Sequence, residues 1–234
     1  MRVDIWTDIV CPWCYIGQAR FDAALAGFEH RDDIEVVQHS YELAPNLSPA
    51  ETGPVMEMLM SKYDMSREQA EEAEARVAGL AAAEGLPYTS DRSTGNTFDA
   101  HRLLHLAAER GLGEELRHAL YRANFGGEGS VFGADALTAV ATGVGLDAAE
   151  VRSVLAGDAY ADAVRHDEQT ATRIGVRGVP FFVLDGRYGI SGAQETTTLL
   201  EALTQAWQES HPQPTQAAPQ AQTDTQQAAK DAQA

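Results

Sequence analysis

Cysteine is nearly absent from this chain: there are two in 234 residues, Cys11 and Cys14, three positions apart. A bond between them would close a tiny loop and could not tie distant parts of a fold together, so a disulfide-stapled scaffold is excluded. None is needed, because a chain of this length with 44% hydrophobic residues buries a core unaided, as one domain or as one domain with a large insertion. The thiols are therefore free for chemistry. Positive charge is also scarce, with 17 Lys and Arg against 35 Asp and Glu and a formal charge of −18. Such a surface repels phosphate backbones and anionic membranes, which excludes nucleic acid as a partner. No run approaches the ~18 apolar residues of a spanning helix, and Met1-Arg2-Val3-Asp4-Ile5-Trp6-Thr7-Asp8 carries acids where a signal peptide has its apolar region. The expectation is a cytoplasmic protein without membrane contact, and in that reducing compartment a Cys-x-x-Cys pair is read as catalytic or metal-binding. Residues 211–234 lack Val, Ile, Leu, Met, Phe, Tyr, Trp and Cys, so a disordered Gln/Ala/Pro/Thr-rich tail is expected over 210–234.

What is present alternates between two periods. Val3 and Ile5 against Asp4 suit a short strand over residues 2–7 that enters the cysteine motif. From Trp13 the period becomes helical: Cys14, Phe21, Leu25 and Phe28 share a narrow arc, which turns Cys14 toward a core. Cys11 then lies at the helix N-terminus, ahead of Pro12, and is expected to be the more exposed sulfur. Residues 34–41 return to a period of two, and a strand, short helix and strand in succession imply parallel pairing. Residues 46–175 are helical in character, with six or seven helices, a capping box at Ser66-Arg67-Glu68-Gln69 and breaks at the glycines near 126–129 and 143–145. Strand signals resume at Phe181-Phe182-Val183-Leu184, where Asp185-Gly186 supplies a tight hairpin. Ser191-Gly192-Ala193-Gln194 reads as a second capping box, opening a last helix through Leu199, Leu203 and Trp207. The order is β-α-β, then β-hairpin-α: an α/β thioredoxin fold with a large all-helical domain inserted after the second strand. Its bounds are 1–45 and 176–209 for the thioredoxin-like part and 46–175 for the insertion.

Thiol-disulfide exchange needs a thiolate to attack and a second thiol near enough to resolve the mixed disulfide, and a two-residue spacer meets both needs. A helix N-terminus favours the thiolate at Cys11 through its unpaired N–H groups and dipole. Two other readings stay open on the residues alone. One is a pair of inert buried thiols. The other is a zinc site completed by His101 and His105, whose distance along the chain from the cysteines far exceeds the usual spacing of about a dozen residues.

Four ordered segments carry a resemblance: Asp8-Ile9-Val10-Cys11-Pro12-Trp13-Cys14-Tyr15-Ile16-Gly17, Asn96-Thr97-Phe98-Asp99-Ala100-His101-Arg102-Leu103, Gly175-Val176-Arg177-Gly178-Val179-Pro180-Phe181-Phe182 and Ser191-Gly192-Ala193-Gln194. Together the chain resembles the FrnE-type branch of the DsbA family, from about residue 2 to 208. The resemblance implies Cys11 as attacking and Cys14 as resolving sulfur, supported by Pro12, Trp13 and Asp8. It also implies a cis bond before Pro180, a Val179 backbone offered to an extended substrate, and Asn96 and His101 facing the cleft. Trp13 stands where DsbA proteins carry histidine, which argues against a strong oxidase. No tightly bound cofactor and no metal are implied. Glutathione is a candidate co-substrate, the substrate is a disulfide-containing protein or small thiol, and a thioredoxin or glutathione system is the external electron partner. Two competing classes remain: a glutathione-linked enzyme resembling 2-hydroxychromene-2-carboxylate isomerase or kappa-class glutathione transferases, which characteristically carry serine at the Cys11 position, and a non-enzymatic peptide-binding chaperone.

Overall fold

A computed structural model describes residues 1–49 and 51–212; the tail expected over 210–234 lies, from residue 213 on, outside the described residues. The elements in chain order are β1 (Arg2–Thr7), α1 (Pro12–Ala26), β2 (Glu35–Ser40), β3 (Thr52–Pro54), α2 (Val55–Tyr63), α3 (Arg67–Ala83), β4 (Ser93–Gly95), α4 (Phe98–Glu109), α5 (Gly113–Phe125), α6 (Ala134–Gly143), α7 (Ala148–Ala156), α8 (Ala161–Arg173), β5 (Phe181–Leu184), β6 (Tyr188–Ser191) and α9 (Thr196–Ser210). The main sheet has the order β2-β1-β5-β6, with β1 and β2 parallel and the other pairs antiparallel. This is the thioredoxin arrangement expected from the two sequence periods.

Alternation along the central strands builds two layers. Val3 and Ile5 of β1 and Phe182 and Leu184 of β5 pack on Phe21 and Ala24 of α1 and on Leu199, Leu203 and Ala206 of α9. Trp6, Phe181 and Val183 point to the opposite face, where they meet Ala171 of α8 and Val176. The helix α8 therefore covers the sheet as well as contacting α4. It is pinned to β2 by Asp167, whose Oδ1 lies 2.8 Å from His39 Nδ1 and whose Oδ2 accepts the Ser40 N–H at 2.9 Å.

Asp185 and Gly186 adopt φ of 53° and 66°, and the Arg187 N–H donates to Leu184 O at 3.0 Å, so the hairpin turn forms as its residues dictate. The Ser66 box also forms, with Ser66 Oγ accepting the Gln69 N–H and Gln69 Oε1 the Ser66 N–H. Two expectations are corrected. The inserted block is not all helix, since β3 and β4 pair antiparallel within it. Nor does Ser191 cap the last helix: it ends β6, and α9 begins at Thr196 behind Glu195. The Gly192 N–H instead donates to Pro180 O at 2.8 Å, and Gln194 Nε2 bonds back to Ser191 O, so the segment braces the loop before β5.

Candidate active site

The turn between β1 and α1 delivers both thiols. Cys11 has extended backbone (φ −86°, ψ 114°) at the N-cap, Pro12 occupies the first helical turn, and the Cys11 carbonyl accepts the N–H groups of Cys14 at 3.0 Å and Tyr15 at 3.2 Å. No side chain caps this helix, and the Cys11 sulfur is in no disulfide. Its thiol donates to Val179 O at 3.6 Å, across the cis Val179–Pro180 peptide bond. Close approach of α1 to that loop requires Gly17, because a Cβ there would come 2.8 Å from Pro180 Cγ.

The two sulfurs differ as the helical arc predicts: Cys11 keeps 4% of its surface and Cys14 none. The core that receives Cys14 is another matter. Phe21 packs on the sheet, whereas Cys11, Cys14 and Tyr15 join Leu103, Leu106, Leu116, Leu120 and Phe125 in the core of the inserted block. Helix α1 also lays Ile16 against Val77 and Ala81 of α3, so it is buried on several sides and a single stripe understates its contacts. Burial pushes the Cys14 thiol well up from its ordinary value, and hydrogen bonding and charge at Cys11 push it further, against one favourable contact from the Asp8 N–H at 3.4 Å. The Tyr121 hydroxyl is buried beside them and is likewise held neutral, first by burial and then by Cys14.

Asp8 lies behind the pair and is 1% exposed. Its Oδ2 accepts the Leu43 N–H at 2.7 Å, while Oδ1 faces His101 Nε2 at 3.4 Å, and neither of these last two atoms has a hydrogen-bond partner among the described residues. His101 is also 1% exposed and borders a separate cavity of about 290 Å³ shared with His39, His105 and Arg117. Asn96 spends its amide on Glu42 Oε1 at 3.2 Å and Leu47 O at 2.9 Å and accepts the Phe98 N–H at 2.9 Å. Neither Asn96 nor His101 lines the groove at Cys11, which corrects their placement at the cleft. Asn96 is used up in fixing the connection from β2 into the insertion, whereas His101 is buried with its Nε2 unpartnered beside Asp8. His105 bonds Ser40 Oγ at 3.1 Å and lies 3.3 Å from Asp167, and the four Cys and His side chains of the zinc reading form no cluster among the described residues.

Cys11, Pro12, Trp13 and Val179 open on a groove of about 720 Å³ whose far wall is Val55, Met58, Leu59 and Tyr63 of α2, Met65, and Val77 of α3, with Leu43 and Pro45 at one lip. The α2 wall is the part of the site that sequence reading missed. A signal was there: four of the five methionines fall within residues 56–65, and methionine-rich helices recur at adaptable binding surfaces.

The family described as DSBA-like thioredoxin domain matches residues 2–204. The crystal structure of a probable DsbA oxidoreductase from Streptomyces coelicolor is 56% identical, covers 92% of this chain and 93% of its own, and superposes with a TM-score of 0.88. Two more distant structures show the fold alone. A 2-hydroxychromene-2-carboxylate isomerase matches at 14% identity and TM-score 0.64, and a cytosolic disulfide reductase from Pseudomonas aeruginosa at 18% and 0.58; each covers 90% of this chain and 98% of its own. With a free thiol pair at the mouth of α1 and a match over nearly the whole described length, this chain belongs to the DsbA-like thioredoxin domain family.

Proposed function

We propose that the Cys11 and Cys14 pair exchanges disulfides with protein or small-thiol substrates bound in the groove. One observation carries this reading: Cys11 lines the groove beside the Val179 backbone, while Cys14 sits behind it with no exposed surface. In the reducing direction the Cys11 thiolate attacks one sulfur of a substrate disulfide, forming a mixed disulfide and releasing the other substrate sulfur as a thiolate, which takes a proton. Formation of that bond removes the hydrogen bond and charge by which Cys11 holds the Cys14 proton, so Cys14 ionises more readily at the moment it is needed. Cys14 then attacks Cys11 Sγ and expels the second substrate thiolate, leaving the pair oxidised and the substrate reduced by two electrons. An external thioredoxin or glutathione system restores the dithiol, and the cytoplasm is the compartment that supplies one. Run backward, the same steps oxidise a dithiol.

The Val179 N–H makes no hydrogen bond among the described residues, which leaves a backbone donor beside the attacking sulfur for an extended substrate. Pro12 and Trp13 form the adjoining floor, and Asp8 and His101 act from behind, as a buried polar pair that can accept or return the Cys14 proton. Incubation with a disulfide substrate should trap a mixed disulfide in Cys14→Ser and none in Cys11→Ser, read by mass spectrometry. Equal trapping in both variants, or in neither, rejects the assignment of roles. Insulin reduction that survives Cys14→Ser unchanged, together with glutathione conjugation, would move the protein to the glutathione-linked class. The direction of electron flow follows from the pair's potential: about −270 mV marks a reductase and about −120 mV an oxidase, and the absence of histidine at Trp13 favours the first.

A further inference from the structure

The groove at Cys11 carries charge of the opposite sign to the rest of the molecule. The chain sums to −18, yet the groove is lined by Lys62, Arg76 and Arg92 against a single carboxylate, Glu74. Glu74 is already engaged: Arg92 holds it through Nη1 at 2.5 Å and Nη2 at 3.2 Å, and the Tyr88 hydroxyl donates to it at 3.0 Å. Lys62 and Arg76 are exposed and take part in no ion pair among the described residues. The same groove shows Trp13, Leu43 and Tyr63, three of the four large hydrophobic side chains exposed among the described residues. An apolar floor under an unpaired cationic rim, on an acidic protein, is a local inversion with a recognisable complement.

We propose that the groove selects, among disulfide-bearing polypeptides, extended segments with an apolar residue and carboxylates within a few positions of the attacked cysteine, and that Lys62 and Arg76 determine this specificity. The inference rests on the exchange reading above. Two fields compete, because the net charge of the molecule repels an acidic segment while the rim attracts it. Distance decides between them: at physiological ionic strength charge is damped over about 8 Å, so a segment seated in the groove meets Lys62 and Arg76 and not the remote surface. Apolar walls around the rim strengthen that contact relative to open solvent. The exchange step is unchanged; only which disulfides reach Cys11 is set here.

Three disulfide-linked reporter peptides test this, alike in a leucine beside the cysteine and flanked by Glu, Gln or Lys. With the wild-type chain at physiological salt, kcat/KM for the Glu peptide should exceed that for the Lys peptide by up to roughly tenfold, the upper size for two exposed rim charges. In the double variant Lys62→Glu, Arg76→Glu the order should reverse, with melting temperatures compared to show that both chains are folded. Equal kcat/KM for the Glu and Lys peptides in wild type overturns the proposal while leaving exchange intact. If oxidised glutathione is turned over as fast as the Glu peptide and falls by the same factor in the variant, the occupant is a small anionic disulfide and the peptide assignment is overturned. If wild type exchanges no peptide at all, the exchange reading itself fails and takes the proposal with it.

Discussion

Replacing Gly17 by alanine should not stabilise this protein even though it places a better helix former inside α1. Glycine in a helix interior costs about 1 kcal/mol relative to alanine, so the substitution begins with a gain of that size. Against it stands geometry: the new Cβ would lie 2.8 Å from Pro180 Cγ and 3.4 Å from both Cα and Cβ of Ala193. These are a ring atom, a backbone atom and a short side chain, none of which can swing aside. Overpacking of this kind costs about 1 to 3 kcal/mol, which cancels or exceeds the gain. Gly79 supplies the control, since it lies within α3 and a Cβ added there would meet nothing within 4 Å, and Gly79→Ala should return the whole gain. Urea unfolding of the two variants should therefore place Gly17→Ala below Gly79→Ala by about 1 to 3 kcal/mol. Displacement of Pro180 would also shift Val179 O from Cys11 Sγ, so the exchange rate should fall in Gly17→Ala alone. Equal stabilisation of the two variants with unchanged exchange would show that the close approach of α1 to the Pro180 loop is not a real constraint.

His39 gives a pH dependence whose sign follows from its contacts. Burial opposes its charge, but hydrogen bonds to Asp167 at 2.8 Å and Asp4 at 2.7 Å outweigh that and raise its pKa above the ordinary value. Its contribution should be complete below about pH 6.5, the unfolded value, and be lost as pH rises through the higher folded value; urea midpoints from pH 6 to 9 should decline more steeply in wild type than in His39→Gln. Asp167 acts at the acid end, where burial is outweighed by His105, His39 and the Ser40 N–H, so its pKa is lowered. Its contribution holds above about pH 4 and is lost as pH falls through the folded value, and Asp167→Asn should flatten the acid limb of the same profile. Arg92→Met strands the buried Glu74 carboxylate and should cost about 3 to 5 kcal/mol in urea unfolding, of which Glu74→Gln in the same chain should recover a large part. Ser66→Ala removes a formed capping box and should lower stability by about 1 kcal/mol.

Local signals were legible in the sequence and non-local ones were not. The β1, α1 and β2 periods, the Asp185-Gly186 turn and the Ser66 box each depend on residues a few positions apart, and each forms as its chemistry requires. The Ser191 box fails because Gly192 has a partner, Pro180, that no nearby residue announces. Asn96 and His101 stand in a motif-like segment, but half-buried Asn96 bonds Glu42, 54 residues back, and buried His101 faces Asp8, partners that no nearby residue announces. The ranking of the two sulfurs was readable from the arc of α1. Which core receives Cys14 was not, since α1 touches the sheet, the inserted block and α3 together.

The chain leaves the sheet for the inserted block through Leu43 to Leu47 and returns through Gly178 and Val179, and both crossings are lips of the groove. The rim over Cys11 is therefore built by the two connections between sheet and block themselves. Glu42 stands at the first crossing with its side chain wholly buried, tied to Asn96 at the start of α4 and to Arg165 on α8. Glu42 is thus one of several ties at this crossing, beside the Asp8 bond to the Leu43 N–H and the Asp167 bond to the Ser40 N–H, so the rim over Cys11 is held from the sheet and from the inserted block alike.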